Sequence, residues 1–127
     1  MQNIDTTGYK QAKSELEDMQ EMLKRLAAKP EDIEAIEEDL DYSILSHEFR
    51  SDWHSSSSEF TIAEARIVLC VGGPYVAAYF RLNALHEATA AHLEYAWGSH
   101  KGTLIDCESI LLKWYNTFFA GAGFYSP

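Results

Sequence analysis

The side chains with the widest chemical range in this sequence are its histidines, since histidine serves in acid–base catalysis and as a metal ligand. They are His47, His54, His86, His92 and His100. No two of them stand at the i, i+4 spacing of a helical zinc pair, and no Cys-x-x-Cys completes a site, so we expect no metal and no cofactor. His92 and Glu94 share one face of a predicted strand and, with His100 near the next loop, are the candidates for a small enzyme. Structural or exposed histidines are the simpler interpretation.

Two cysteines offer a nucleophile, but neither has a clear catalytic context. Cys70 lies in an apolar run, where a thiol usually acts as a small buried hydrophobe. Cys107 falls in the first turn of a predicted helix, where an exposed thiol would have a depressed pKa and be reactive; a buried position is the interpretation we favour. Gly72-Gly73 follows a strand but lacks the Lys-Ser or Lys-Thr of a phosphate loop. We therefore predict no catalytic residues.

Acidic side chains are concentrated in the first half of the chain. The formal net charge is −10, and residues 1–59 hold fifteen acids against six Lys or Arg. This field repels phosphate backbones, which argues against direct binding to nucleic acid, and it attracts basic grooves on other proteins. The candidate partner-binding residues are Glu31, Asp32, Glu34, Glu37, Glu38, Asp39 and Asp41. The alternative is a solvated helix face that keeps the protein soluble.

The acidic residues belong to the second arm of a predicted helical hairpin. Leu16, Met19, Leu23 and Leu26 recur every three or four residues, which predicts an amphipathic helix from about residue 9 to 28. Pro30 ends this helix and suits the first position of the next, which continues to about Leu40.

The middle of the chain predicts an antiparallel sheet of three or four strands. A partly alternating run at residues 41–53 indicates one strand, and residues 61–71, 74–83 and 88–97 indicate three more. In the predicted strand at residues 61–71 we place Ala65, Ile67 and Leu69 on one face and Arg66, Val68 and Cys70 on the other. Residues 98–102 are predicted to form a loop.

A C-terminal helix is predicted to pack on this sheet. Thr103 and Asp106 resemble a capping box, and a broad apolar arc follows until Gly121. The aromatic residues of this half could form a binding patch or the core, and we favour the core for Trp53, Trp97, Trp114, Tyr95 and Tyr115. We expect exposure instead at Tyr75, Tyr79, Phe124 and Tyr125.

The predicted fold class is therefore α+β in a single domain over residues 1–127. The helical hairpin takes residues 1–41, the sheet 42–98 and the packing helix 103–120. The sequence shows neither a secretory signal nor an apolar run of the ~20 residues that a membrane span requires. We expect no membrane association and a cytoplasmic location.

Several elements together resemble a group of small proteins carried by bacteriophages and prophages. They are Leu45-Ser46 with Arg50-Ser51 and Trp53, the run Leu69-Cys70-Val71-Gly72-Gly73-Pro74, the run from Ala91 to Gly98 with its Leu-Glu-Tyr and Trp-Gly, and the aromatic helix end Phe118-Phe119. The likeness covers about residues 40–120. It implies a phage accessory protein in a bacterial host cell, without implying an activity.

We therefore expect a non-catalytic protein that binds a host protein with a basic surface. The resemblance favours an inhibitor of a nucleic-acid-handling or defence enzyme, comparable with anti-CRISPR or anti-restriction proteins, that acts through the acidic residues. Two alternatives stay open: a homodimeric assembly module that uses a sheet edge or an aromatic patch, and the small enzyme using His92, Glu94 and His100.

Overall fold

The computed structural model describes residues 6–51 and 62–120, which form an α+β fold. The helices are α1 (Thr7–Ala28), α2 (Ile33–Ser43) and α3 (Glu108–Phe118), and a 3₁₀ turn (Pro30–Asp32) leads into α2. The strands are β1 (Ser46–Ser51), β2 (Ile62–Cys70), β3 (Tyr75–Leu82), β4 (Ala88–Trp97) and β5 (His100–Leu104). They form one antiparallel sheet in the order β1-β2-β3-β4-β5. The predicted class is confirmed, and the prediction of three or four strands is wrong by at least one.

The additional strand is β5, which falls where the sequence predicts a loop over residues 98–102. It pairs with β4 from Leu93 opposite Leu104 to Trp97 opposite His100. Gly98 has φ +59°, the conformation that a two-residue hairpin turn requires at its first central position. A polar strand of five residues gives no alternating signal, so only its pairing with β4 identifies it.

The existence of β5 also corrects the start of the C-terminal helix. Thr103 pairs with Glu94 inside the sheet, and α3 begins at Glu108 after Cys107, so the predicted capping box does not form. At the other end of the chain, α2 continues to Ser43 and includes Tyr42, which we placed in a strand. The Ser43 hydroxyl donates to the Asp39 carbonyl at 2.9 Å and supports this last turn.

One apolar core joins all three helices to a single face of the sheet. From the sheet it takes Ile67, Ala78, Phe80 and Leu93, among others, and from the helices it takes the following buried side chains: Ala12, Leu16, Met19, Met22, Ile36, Leu40, Leu111, Trp114, Tyr115 and Phe118. The predicted α1 stripe is confirmed at Leu16 and Met19, whereas Leu23 and Leu26 pack at its margin. The described helices leave the opposite face of the sheet open.

A bulge near the end of β2 changes the face of one predicted residue. Val68 lies opposite Ala77, and the next pair is Cys70 with Val76, so Leu69 is the extra residue. Cys70 therefore lies on the helix face with Val76, not on the face of Arg66 and Val68 as the simple alternation predicts.

Candidate functional site

The seven predicted partner-binding acids lie on the 3₁₀ turn and α2. Asp32 is half-buried, and the six others are exposed: Glu31, Glu34, Glu37, Glu38, Asp39 and Asp41. Burial of Ile36 and Leu40 fixes which side of α2 faces the core. Glu34, Glu37, Glu38 and Asp41 stand at positions i, i+3, i+4 and i+7, which share one side of a helix. We call these four residues the acidic stripe.

The chain segment that carries the acidic stripe contains no basic residue. The sequence has no Lys or Arg between Lys29 and Arg50. Asp39, on the flank of α2, is paired with Arg25 of α1 through a 2.6 Å contact between Oδ2 and Nη1. Both side chains are largely exposed, so this pair stabilises the fold by less than about 1 kcal/mol. The stripe itself carries four like charges within two helical turns.

The three candidates for a small enzyme are divided between the faces of the sheet. The Nε2–H of His92 donates to Glu94 Oε2 at 2.8 Å on the open face. His100 lies opposite Trp97 in β5, and strand alternation places it on the helix face. His92 and Glu94 thus form an acid–base pair at the surface, and the third residue of the predicted constellation is not brought to it.

The open face carries a polar and aromatic surface around Tyr79. The Tyr79 and His92 rings stack with an interplanar angle of 2° and 5.0 Å between centroids. Arg66 lies 6.0 Å from the centre of the Tyr79 ring and pairs with Glu48 at 2.7 Å. An open depression of about 600 Å³ extends over β3 and β4 beside this stack. The sequence indicates these residues only through strand alternation, because their contacts depend on the register between four strands.

Two titratable groups on the helix side have strongly shifted pKa values that the sequence did not indicate. Burial among the rings of Phe49, Tyr115 and Phe119 lowers the pKa of His47 to about 4, and its Nε2 lies 3.2 Å from the Tyr115 hydroxyl. Burial, together with repulsion from Asp18, raises the pKa of Glu15 to about 7. Glu15 directly precedes the buried Leu16, which is the one sequence signal of its partial burial.

Both thiols have a pKa that their surroundings raise. Cys107 is 4% exposed at the start of α3, and its Sγ lies 3.5 Å from the Leu104 carbonyl oxygen. The buried position that we favoured for Cys107 is confirmed, and this burial raises the pKa of its thiol. Burial also raises the pKa of Cys70, and the Glu15 carboxylate adds to this effect.

The uncovered part of the β4 edge is closed by side chains from α3. β5 pairs with β4 only from Leu93 onward, so residues 88–92 extend beyond it. Asn116 takes the place of a strand there: its Oδ1 accepts from the Ala88 N–H at 2.7 Å and its Nδ2 donates to the Ala88 carbonyl at 3.1 Å. Glu108 accepts from the Ala91 N–H at 3.1 Å. Such cover protects an edge against pairing with another chain.

The predicted aromatic core is confirmed in part. Trp114 and Tyr115 are buried, whereas Tyr95 and Trp97 are half-buried. Tyr75 and Tyr79 are also half-buried rather than exposed. Trp53, His54, Phe124 and Tyr125 lie outside the described residues.

The described ranges contain neither a cluster of metal ligands nor a helix that could span a membrane. Residues 6–51 and 62–120 contain no group of three or more His, Cys, Asp or Glu side chains placed to hold a metal ion. None of the described helices combines the length and the apolar character needed to cross a bilayer.

Comparisons with known proteins give no relatives. No protein-family model matches the chain, and neither the curated proteins nor the solved structures contain a significant match.

Proposed function

We propose that this chain is a non-catalytic, phage-type accessory protein that binds a basic surface on a host protein through the acidic stripe. The observation that carries this proposal is the placement of Glu34, Glu37, Glu38 and Asp41 on one exposed side of α2. A helix whose other side is fixed in the core presents such charges in a constant arrangement, which suits recognition of a fixed set of basic groups.

The class of partner follows from the chemistry of the stripe. Four carboxylates without an intervening Lys or Arg attract the kind of surface that binds phosphate groups. We therefore propose as partner a nucleic-acid-handling or defence enzyme of the bacterial host, in whose basic groove α2 competes with nucleic acid. The resemblance to phage proteins over residues 40–120 supports this context.

The decisive experiment captures partners from bacterial host lysate at low and high salt. The bait is the full chain, either unchanged or with Glu34, Glu37 and Glu38 replaced by Lys. We expect the unchanged protein to retain a nucleic-acid-binding enzyme that is lost at high salt, because exposed charges are screened. The variant should not retain it.

A matched control has the same change in total charge at a different place. Glu17, Asp18 and Glu21 are exposed on α1, and their replacement by Lys also raises the net charge of the chain by six. This control should still capture the enzyme, and DNA added in excess should displace it from the unchanged bait. Equal loss in both triple variants would refute a site on α2, since only the total charge would then matter.

A further inference from the structure

The outer edge of β1 is one of the two ends of the sheet. β1 comes first in the strand order, and within the described residues it pairs with β2. The N–H and C=O groups along such an edge are a template for a further strand. Two large apolar side chains that precede this strand remain exposed, namely Tyr42 (84%) near the end of α2 and Leu45 (54%) directly before β1. Exposed apolar groups beside an edge strand are typical of a protein interface.

The charges of β1 are complementary to those of a second, identical strand. When two copies pair antiparallel around a twofold axis perpendicular to the sheet, the residue on the axis decides which side chains meet. With Phe49 on the axis, Glu48 of each copy lies opposite Arg50 of the other, which gives two opposite-charge pairs. Moving the axis by one residue places Glu48 opposite Glu48, or Arg50 opposite Arg50. Repulsion disfavours both of these registers.

We propose that β1 is a self-association surface and that it pairs with β1 of a second copy in the register centred on Phe49. The two sheets then form one antiparallel sheet of ten strands. The proposal commits to a second copy of this chain as the occupant and does not depend on the host partner proposed above.

The charge pattern within the sheet supports this register. On the open face Arg50 lies opposite Glu64, which lies opposite Arg81, and Glu64 forms ion pairs with both arginines. In the dimer the row continues from Arg50 to Glu48 of the second copy and then to Arg66 of that copy, with which Glu48 is already paired. The sign of the charge therefore alternates at every strand across the interface.

The test is sedimentation equilibrium of the full chain over a wide range of concentrations, with two single charge reversals. Glu48→Arg and Arg50→Glu each turn both cross-strand pairs into like-charge contacts. We expect each variant to weaken the dimer roughly 30-fold, from two pairs that each change by about 1 kcal/mol. The control is Lys101→Glu in β5, at the other edge of the sheet, which changes the charge by the same amount as Arg50→Glu and should leave the dimer unchanged.

Mixing the two variants separates the interface from effects within one chain. A heterodimer of Glu48→Arg with Arg50→Glu again has opposite charges at both pairs, so an equimolar mixture should recover the strong association that each variant alone has lost. Each variant carries the same intrachain defect alone and in the mixture, so recovery reports the cross-strand pairs. A wild-type chain that is monomeric throughout, a dimer weakened by Lys101→Glu, or a mixture without recovery would each overturn the proposal.

Discussion

Removal of the Asn116 side chain should cost the fold about 2 kcal/mol, although this residue lies on the exposed side of α3. Its amide makes two hydrogen bonds, of 2.7 and 3.1 Å, to the backbone of Ala88. Each bond contributes about 1 kcal/mol, and Asn116→Ala also leaves the N–H of a residue that is 5% exposed without its partner. We expect a loss of about 2 kcal/mol in the free energy of unfolding and a melting temperature lower by about 8 °C.

The assay is urea denaturation followed by tryptophan fluorescence, in which the buried Trp114 reports the opening of the core. Thr117→Ala is the control, because Thr117 is the exposed neighbour of Asn116 on the same helix. Asn116→Asp provides a second check: it retains the acceptor for the Ala88 N–H but places a carboxylate beside the Ala88 carbonyl. Folding then raises the pKa of this carboxyl, so the Asp variant should regain stability as the pH falls and the carboxyl becomes a donor.

Equal free energies of unfolding for Asn116→Ala and Thr117→Ala, within about 0.5 kcal/mol, would refute this role of Asn116. Water would then replace the Asn116 amide without loss, and the end of β4 would not need cover from α3. A large loss in the Ala variant without recovery of the Asp variant at low pH would show that the helix, rather than the strand edge, depends on Asn116.

Two further predictions concern shifted pKa values and a close contact. Folding raises the pKa of Glu15 from 4.5 to about 7, so the free energy of unfolding should fall as the pH rises through that range. The lowered pKa of His47 makes the free energy of unfolding rise with pH between about pH 4 and 6.5. In Glu15→Gln the free energy of unfolding should therefore only rise with pH, as measured by urea denaturation below and above this range. If Glu15→Gln had the same pH dependence of the free energy of unfolding as the unchanged protein, the raised pKa of Glu15 would be contradicted. Gly102→Ala should destabilise the fold by about 1–3 kcal/mol in the same assay, because a Cβ at Gly102 would overlap the phenol ring and hydroxyl of Tyr95. An unaffected stability would show that the Tyr95 ring moves aside freely.

The sequence predicts those elements whose pattern is local. The stripe that contains Leu16 and Met19, and the bounds of β4, follow from periodicity and are confirmed. The strand β5 is missed because Lys101, Gly102 and Thr103 have no apolar alternation. The apolar contact that the strand itself lacks is supplied by β4, whose Tyr95 ring covers Gly102.

The candidate site is predictable to a similar extent. The exposure of the acids on α2 follows from the burial of Ile36 and Leu40, which the helical spacing indicates. The separation of His100 from His92 does not follow from the helical or strand spacing. It depends on the turn at Gly98 and on the register of β5, both of which are features of the tertiary structure. A one-residue bulge likewise moves Cys70 to the other face, and no periodic pattern anticipates it.

The packing of α1 on β4 and α3 has a consequence for the order in which the protein folds during its synthesis. The sheet is a meander, so each strand finds its neighbour as soon as the next hairpin leaves the ribosome. The apolar side of α1 is synthesised before β4 and α3, two of the elements that pack against it. Until β4 and α3 follow, part of the apolar side of α1 remains exposed to solvent and to any chaperone that binds apolar helices. Completion of the core therefore has to wait for α3, which packs against both α1 and β4.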